Sequence, residues 1–149
     1  MRAVVQRVRE ASVSVDNEIK GSVGQGFCVL LGVEAGDEDK DLEYMVEKVS
    51  GLRVFDDEDG VMNRSIMDCG GEILSISQFT LLGDARKGRR PSWIRAERPE
   101  RANEMYQRFN EGLRSRGIRV EEGVFQAEMM VNIVNDGPVT ILLDSKKLF

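Results

Sequence analysis

The sequence predicts an α+β domain in which largely antiparallel β-sheet, sandwich or barrel-like, packs against two main helices. Segments rich in β-branched residues recur along the whole chain, whereas apolar residues at helical spacing occur in only two stretches. Turn-forming residues separate these segments, and neither a linker nor an internal repeat divides them. The 149 residues are therefore expected to form one domain, residues 1–149, with a substantial core.

Strands dominate the first third of the chain. Residues 3–8 (AVVQRV) and 11–15 (ASVSV) are β-branched and partly alternating, and Asp16-Asn17 then supplies turn chemistry. Residues 27–33 (FCVLLGV) are apolar without interruption, which is typical of a strand buried on both faces.

Each predicted helix carries an apolar stripe and an end signal. The first follows an acidic start, and Gly51 can end it. The second has Pro99 in its first turn, and Gly117 can end it. The stripes consist of Leu42, Met45, Val46 and Val49 in the first helix and of Ala102, Tyr106, Phe109 and Leu113 in the second.

The other segments are predicted to be strands, which brings the count to about seven or eight. Residues 52–55 (LRVF) precede a turn at 56–60. Residues 70–82 (GGEILSISQFTLL) form one long alternating strand whose two faces become polar toward its end. The closing strands cover residues 118–123, 127–136 and 138–144.

The composition excludes several classes of chemistry. The chain has no histidine, so Ser-His or Cys-His catalysis and histidine-ligated metals are excluded. Cys28 and Cys69 are too few and too isolated for a disulfide framework or a zinc site, and we expect buried or idle thiols and no metal or organic cofactor. No apolar run is long enough to predict a transmembrane helix or a signal peptide, so we expect a cytoplasmic protein without a membrane partner.

Charge is unevenly distributed. The net charge of −5 argues against a generic nucleic-acid binder, and residues 34–59 hold eleven acids and three bases. Residues 86–101, in contrast, hold seven bases and two acids. This basic segment is either an ordinary solvated surface or an anchor for phosphates, with Trp93 available for stacking.

Two short stretches are unusual for their position. Residues 77–80 (SQFT) place polar side chains at the end of an apolar strand, and residues 135–140 (NDGPVT) place Gly137-Pro138 inside an apolar run although proline has no N–H for a sheet ladder. Polar residues that satisfy a strand end, and an ordinary Asp-Gly-Pro turn, would also explain them. The residues alone leave both interpretations open.

These two stretches resemble the paired signature of the D-aminoacyl-tRNA deacylases. SQFTL at 77–81 and NDGPVT at 135–140 stand in the family's order, and the resemblance covers essentially the whole chain. Further segments with the same similarity are QRV at 6–8, LLGVE at 30–34, MN at 62–63, RPS at 90–92 and GVFQAEM at 123–129.

The resemblance implies an enzyme that hydrolyses the ester between a D-amino acid and the terminal adenosine of tRNA. It also implies a homodimer with active sites at the subunit interface. Ser77, Gln78, Phe79 and Thr80 would line the pocket of one subunit. Gly137 and Pro138 of the other subunit, joined by a cis peptide bond, would reject L-amino acids but not glycine.

Other site residues are carried over from the same resemblance. Arg7 would support Gly137-Pro138, with a surface ion pair as the ordinary alternative. Met62 and Asn63 would line the adenosine pocket or merely begin a strand. Val139 and Thr140 would flank the Gly-Pro pair, and the residues expected to follow the tRNA acceptor stem are Arg86, Lys87, Arg89, Arg90 and Trp93.

Three hypotheses for the activity remain at this point. In the first, water attacks the ester, the 2′-hydroxyl of tRNA assists proton transfer, and backbone N–H groups around residues 78–80 hold the oxyanion. In the second, Thr80 is a covalent nucleophile, although no activating base is visible. In the third, the chain is a nucleic-acid-binding module without catalysis.

Overall fold

The computed structural model describes all residues from 1 to 149, which form eight strands and three α-helices. The helices are α1 (Asp39–Gly51), α2 (Ile66–Cys69) and α3 (Pro99–Arg114), and a 3-10 turn covers Phe79–Leu82. The strands are β1 (Arg2–Val15), β2 (Glu18–Val23), β3 (Gly26–Gly32), β4 (Phe55–Asp56), β5 (Met62–Arg64), β6 (Glu72–Ser77), β7 (Arg119–Glu122) and β8 (Met130–Asp144).

The main sheet curls until it is nearly closed. Its order is β2-β1-β3-β6-β7, with β8 on β1, and a separate hairpin pairs β4 with β5. β2 comes so close to β7 that a side chain at Gly21 would lie 3.0 Å from the Glu122 carbonyl. The predicted α+β class with barrel-like, largely antiparallel sheet is confirmed. Two pairs, β3–β6 and β6–β7, are parallel, because α1 and α3 lie in the long connections that parallel strands need.

Two apolar cores lie on opposite faces of this sheet. The larger packs α1 and α3 against residues such as Phe27 and Ile73, and the smaller lies inside the curl around Val13, Cys28 and Leu74. Successive residues of β3 point into different cores, which explains its uninterrupted apolar sequence. Burial raises the pKa of the Cys28 thiol to about 12.

The two pairs of strands predicted at the chain ends are each one strand. β1 runs without a break from Arg2 to Val15, and β8 runs from Met130 to Asp144. Gly137-Pro138 lies within β8, where the pairing with β1 changes register. β8 pairs on one side only, and an edge position is where a strand tolerates a proline.

The long strand predicted over 70–82 is wrong beyond Ser77. The Gln78 N–H still donates to the Leu31 carbonyl at 2.8 Å, after which Phe79–Leu82 form the 3-10 turn. Leu82 is fully buried over Gly32, where an added Cβ would lie 2.6 Å from the Leu82 side chain. The burial of Leu82 over Gly32 therefore favours the turn. The alternation of apolar and polar residues along the sequence gives no information about that contact.

Smaller elements also differ from the prediction. The strand predicted over 52–55 is reduced to the two-residue β4. β2 was not predicted, because four of its six residues are exposed and its sequence is polar. α2 was not predicted either, although Ser65 and Asp68 form a capping box at its start.

An ionic cluster joins the loop after β3 to the segment before α3. The nearly buried Glu34 carboxylate lies 2.5 Å from Arg95 Nη2 and 3.0 Å from Lys146 Nζ. Burial by itself raises the pKa of the Glu34 carboxyl, but hydrogen bonds from Lys146 and Arg95 outweigh burial and leave that pKa below its usual value. The cluster therefore stabilises the folded protein while Glu34 is ionised.

We expect Glu34→Gln to lower the free energy of unfolding by about 1–2 kcal/mol near neutral pH, because Arg95 and Lys146 lose a charged acceptor. Since the folded pKa of Glu34 is lowered, the unmodified protein keeps this contribution above the usual carboxyl pKa of about 4.3 and loses it as pH falls through the folded value. Urea unfolding should show the two proteins converging in acid. As a control, Glu18→Gln removes an exposed pair with Lys20 and should cost less than about 0.5 kcal/mol. Equal losses in both variants would contradict the expectation.

Candidate active site

A cavity of about 590 Å³ opens at the end of β6. All four residues of the SQFT stretch line it, from Ser77 to Thr80. Two further walls come from distant parts of the chain, one from residues 93–102 and the other from residues 125–129, and Val33 also belongs to the lining. The structure therefore brings together in one cavity the residues that the sequence suggested as catalytic.

The polar groups of the SQFT stretch have defined partners. Gln78 Nε2 donates to Thr80 Oγ1 at 3.0 Å, so the neighbour of the Thr80 hydroxyl is an amide donor and not a base. The Gln78 N–H is already bonded to Leu31. The next two N–H groups, of Phe79 and Thr80, stand at the start of the 3-10 turn, where N–H groups lack partners within the helix.

The wall from residues 93–102 combines an aromatic rim with one charge. Trp93 packs edge-on against Phe79 with ring centroids 5.5 Å apart. Gly83 makes room for it, since an added Cβ would lie 2.5 Å from the indole. Glu97, the one ionisable residue of the lining, is held by the Arg98 N–H and by Arg101. The cavity can therefore orient a polar ligand, but it holds no pair of groups for acid-base catalysis.

Sequence reasoning did not find the third wall. Phe125 and Met129 line the cavity, and Gln126 between them has a positive φ of 64°. The turn begins at Gly123, whose N–H donates to the Ser75 carbonyl. Only the resemblance of GVFQAEM pointed to this segment, because apolar side chains carry no chemical signature.

Gly137 and Pro138 lie away from this cavity in the same chain. Both are exposed on β8, and the peptide bond between them is cis. Arg7 lies directly beneath them: its Nε donates to the Asp136 carbonyl at 3.1 Å, and its Nη1 donates to the Val54 carbonyl at 2.6 Å. The structure thus brings Arg7 to the Gly-Pro pair, but it does not bring that pair to the SQFT residues.

The remaining supporting residues also lie outside the cavity. Met62 and Asn63 are on the exposed β4–β5 hairpin, where Asn63 Nδ2 contacts Asp57 at 3.4 Å. Arg7 Nη1 is 3.8 Å from Asp56 of the same hairpin, so the hairpin neighbours the Gly-Pro pair. Val139 packs partly into the larger core, and Thr140 is exposed and pairs with Gln6.

The basic segment forms a loop closed by mutual hydrogen bonds between the backbones of Asp84 and Ser92. Arg86 binds Asp84 through two nitrogens, at 2.9 and 2.6 Å, and thereby holds the pKa of that carboxyl well below its usual range. Lys87, Arg89 and Arg90 are exposed and form no ion pair. Of the basic residues predicted to contact tRNA, Arg86 is therefore already neutralised.

No helix of the protein combines the length and the apolar character that crossing a membrane requires. No group of three or more histidine, cysteine, aspartate or glutamate side chains is arranged to hold a metal ion.

The sequence matches one known family along nearly its whole length. The family model described as D-Tyr-tRNA(Tyr) deacylase matches residues 4–144. A D-aminoacyl-tRNA deacylase from Symbiobacterium thermophilum is 57% identical over 149 residues, which cover 100% of this chain and 99% of that relative.

Two solved structures share the fold. The c-Myc DNA unwinding element binding protein has a TM-score of 0.91 at 47% identity, covering 97% of this chain and 98% of that one. A probable eukaryotic D-amino acid tRNA deacylase has a TM-score of 0.82 at 20% identity, covering 95% of this chain and 97% of that one, and this likeness concerns the fold alone. The family model matches nearly the whole chain, and a relative that is 57% identical matches all of it. The protein therefore belongs to the D-aminoacyl-tRNA deacylase family.

Proposed function

We propose that this protein hydrolyses the ester bond between a D-amino acid and the 3′-terminal adenosine of tRNA, in the cytoplasm, where aminoacyl-tRNA is used. Family membership supports the reaction. The observation that carries the proposal is the gathering of Ser77, Gln78, Phe79 and Thr80 around one cavity. Its volume lies within the range of about 300–1,000 Å³ that small-ligand sites occupy.

The direct test compares D-tyrosyl-tRNA with L-tyrosyl-tRNA and follows loss of the ester. Hydrolysis of the D form alone is the expected result. Hydrolysis of neither would favour a nucleic-acid-binding module without catalysis, and hydrolysis of both would leave an esterase without chiral selection.

The working enzyme in this proposal is a homodimer. Gly137 and Pro138 lie outside the cavity of their own chain and on an edge strand. The free side of that strand could accept a second copy, which would avoid leaving a long edge exposed. Its exposed apolar residues are Met130, Val134 and Leu142. We infer that each subunit inserts its Gly137-Pro138, the Gly-Pro wedge, into the cavity of the other.

The wedge would select chirality by repulsion. D- and L-amino acids differ in which position on the α-carbon carries the side chain, so the group that rejects one of them must not yield. Proline locks its own φ, and Arg7 holds the backbone carbonyl that precedes Gly137. Repulsion needs no contact with the D side chain, so D-amino acids of many sizes would be accepted. Glycine has no side chain to reject, and glycyl-tRNA should also be cleaved.

The chemistry relies on positioning. Water attacks the ester carbonyl, the 2′-hydroxyl of the terminal ribose assists proton transfer, and the N–H groups of Phe79 and Thr80 stabilise the oxyanion. The Gln78 N–H is not available for this role, because Leu31 accepts it. No metal or organic cofactor enters the proposal.

We expect Thr80→Ala to lower kcat only about 2–5-fold, because the substrate supplies the proton relay and the Thr80 hydroxyl faces an amide donor. Single-turnover hydrolysis of D-tyrosyl-tRNA measures the effect, with Thr80→Ser as the variant that keeps the hydroxyl. A covalent nucleophile would instead require a loss of about 10³-fold or more, with activity retained in the serine variant.

Replacing Lys87, Arg89 and Arg90 together by alanine should weaken tRNA binding and flatten its salt dependence. Each lost phosphate contact removes about 0.7–0.9 from the slope of log affinity against log salt, so the slope should fall by about 2–3. Arg86→Ala is the matched control, since Asp84 already neutralises that charge, and it should change the slope by less than about 0.5. An unchanged slope in the triple variant would exclude this loop, and equal affinity for a DNA duplex would favour the generic binding module.

A further inference from the structure

Tyr106 is a buried polar residue to which the proposed chemistry assigns no role. Its side chain is 1% exposed, in the middle of α3. The hydroxyl donates to the Ser75 carbonyl at 2.7 Å. Burial raises the pKa of this phenol to about 12, so the hydroxyl keeps its proton and remains a donor at neutral pH.

The Ser75 carbonyl joins the three walls of the cavity. It accepts from Tyr106 of α3 and, at 3.1 Å, from the N–H of Gly123. Ser75 lies two residues before Ser77 on β6. Gly123 lies two residues before Phe125, at the start of the segment that forms another wall. The first turn of α3 contributes Pro99 and Ala102 to the wall formed by residues 93–102.

The ring and the surroundings of Tyr106 strengthen this connection. The phenol ring lies 6.3 Å from the Phe125 ring, with 29° between the ring planes. Ser75 Oγ is buried without a hydrogen-bond partner. The bond from the Tyr106 hydroxyl to the Ser75 carbonyl is the only side-chain hydrogen bond between α3 and β6.

We propose that Tyr106 is a positioning residue for the hydrolysis. Its hydrogen bond fixes the position of the end of β6 relative to the opposite cavity wall, and with it the position of the backbone N–H groups of Phe79 and Thr80. This inference rests on the proposed function. Donors that must match a developing oxyanion tolerate little displacement. The loss of one buried anchor two residues before Ser77 should therefore reduce the rate of the chemical step more than substrate binding.

The test compares Tyr106→Phe with Tyr44→Phe. The first variant keeps the ring against Phe125 and loses only the hydroxyl. The second removes the hydroxyl of the other tyrosine of the chain, which is half-buried on α1 and makes no hydrogen bond. Single-turnover kinetics on D-tyrosyl-tRNA, well below the melting temperature of each variant, should give a kcat about tenfold lower for Tyr106→Phe with KM within about twofold. Tyr44→Phe should match the unmodified enzyme.

A second measurement separates this proposal from the proposed function. Backbone amide NMR of Tyr106→Phe should show shifts at Gly123 and at residues 78–80, with no comparable shifts in Tyr44→Phe. Unchanged kcat in Tyr106→Phe, or an equal loss in both variants, would overturn the positioning role. If the unmodified protein hydrolyses no D-aminoacyl-tRNA, the proposed function fails. In that case the NMR measurement still tests the role of Tyr106, and unchanged amide signals at residues 78–80 in Tyr106→Phe would overturn it as well.

Discussion

Pro138→Ala is expected to let the protein hydrolyse L-tyrosyl-tRNA at least about 100-fold faster than the unmodified enzyme does, while hydrolysis of D-tyrosyl-tRNA falls less than tenfold. A 100-fold change corresponds to about 2.7 kcal/mol of lost discrimination. The physical reason is that alanine releases the φ angle that proline fixes, so the backbone carbonyls of the wedge can move away from an L side chain.

Folding should be little affected by this substitution. Pro138 is exposed at an edge strand, and Arg7 still holds the neighbouring Asp136 carbonyl. The melting temperature and the rates of ester loss from matched D- and L-tyrosyl-tRNA should be measured on the same preparation. Pro91→Ala is the matched control, since Pro91 lies in the basic loop and should leave chirality unchanged. Continued rejection of the L substrate by Pro138→Ala would show that the wedge does not select.

The two unusual stretches were easier to identify in the sequence than the elements around them. SQFT and Gly137-Pro138 stand out because polar or conformationally unusual residues interrupt apolar strands, and the structure places the SQFT residues in one cavity but Gly137-Pro138 outside it. The end of β6 was predicted wrongly, because its shape depends on the Leu31 carbonyl and on Gly32. Both lie about 50 positions earlier in the chain than the residues that they contact. Alternation along one segment carries no information about such contacts.

The cavity walls show the same limit. Phe125 and Met129 on one wall and Ala102 on another are apolar, and similar residues fill the cores, so composition cannot distinguish a cavity wall from a core. The helix stripe that includes Tyr106 predicted burial, which the structure confirms. The acceptor of its hydroxyl, 31 positions earlier in the chain, could be identified only after folding.

Subunit mixing should show that the wedge acts on the cavity of the other subunit. Pro138→Ala subunits keep an open cavity but lose selection. Ala127→Trp subunits keep the wedge but should have a blocked cavity, because Ala127 lies in its lining. When the two are refolded together with the blocked subunit in about tenfold excess, about nine-tenths of the open cavities face an intact wedge. Hydrolysis of L-tyrosyl-tRNA per open cavity should then fall about tenfold, with D-tyrosyl-tRNA hydrolysis within about twofold.

A double variant, Ala127→Trp with Pro138→Ala, controls for a nonspecific effect of the blocked subunit. It should pair equally well but present a defective wedge, so adding it should leave L hydrolysis unchanged. If the wedge instead acted on the cavity of its own chain, an excess of either blocked subunit would leave hydrolysis of L-tyrosyl-tRNA unchanged. The structure favours the first outcome, because Gly137 and Pro138 are exposed and lie outside the cavity formed by their own chain. Restoration of chirality by a subunit that cannot itself bind substrate has no explanation in a monomeric enzyme.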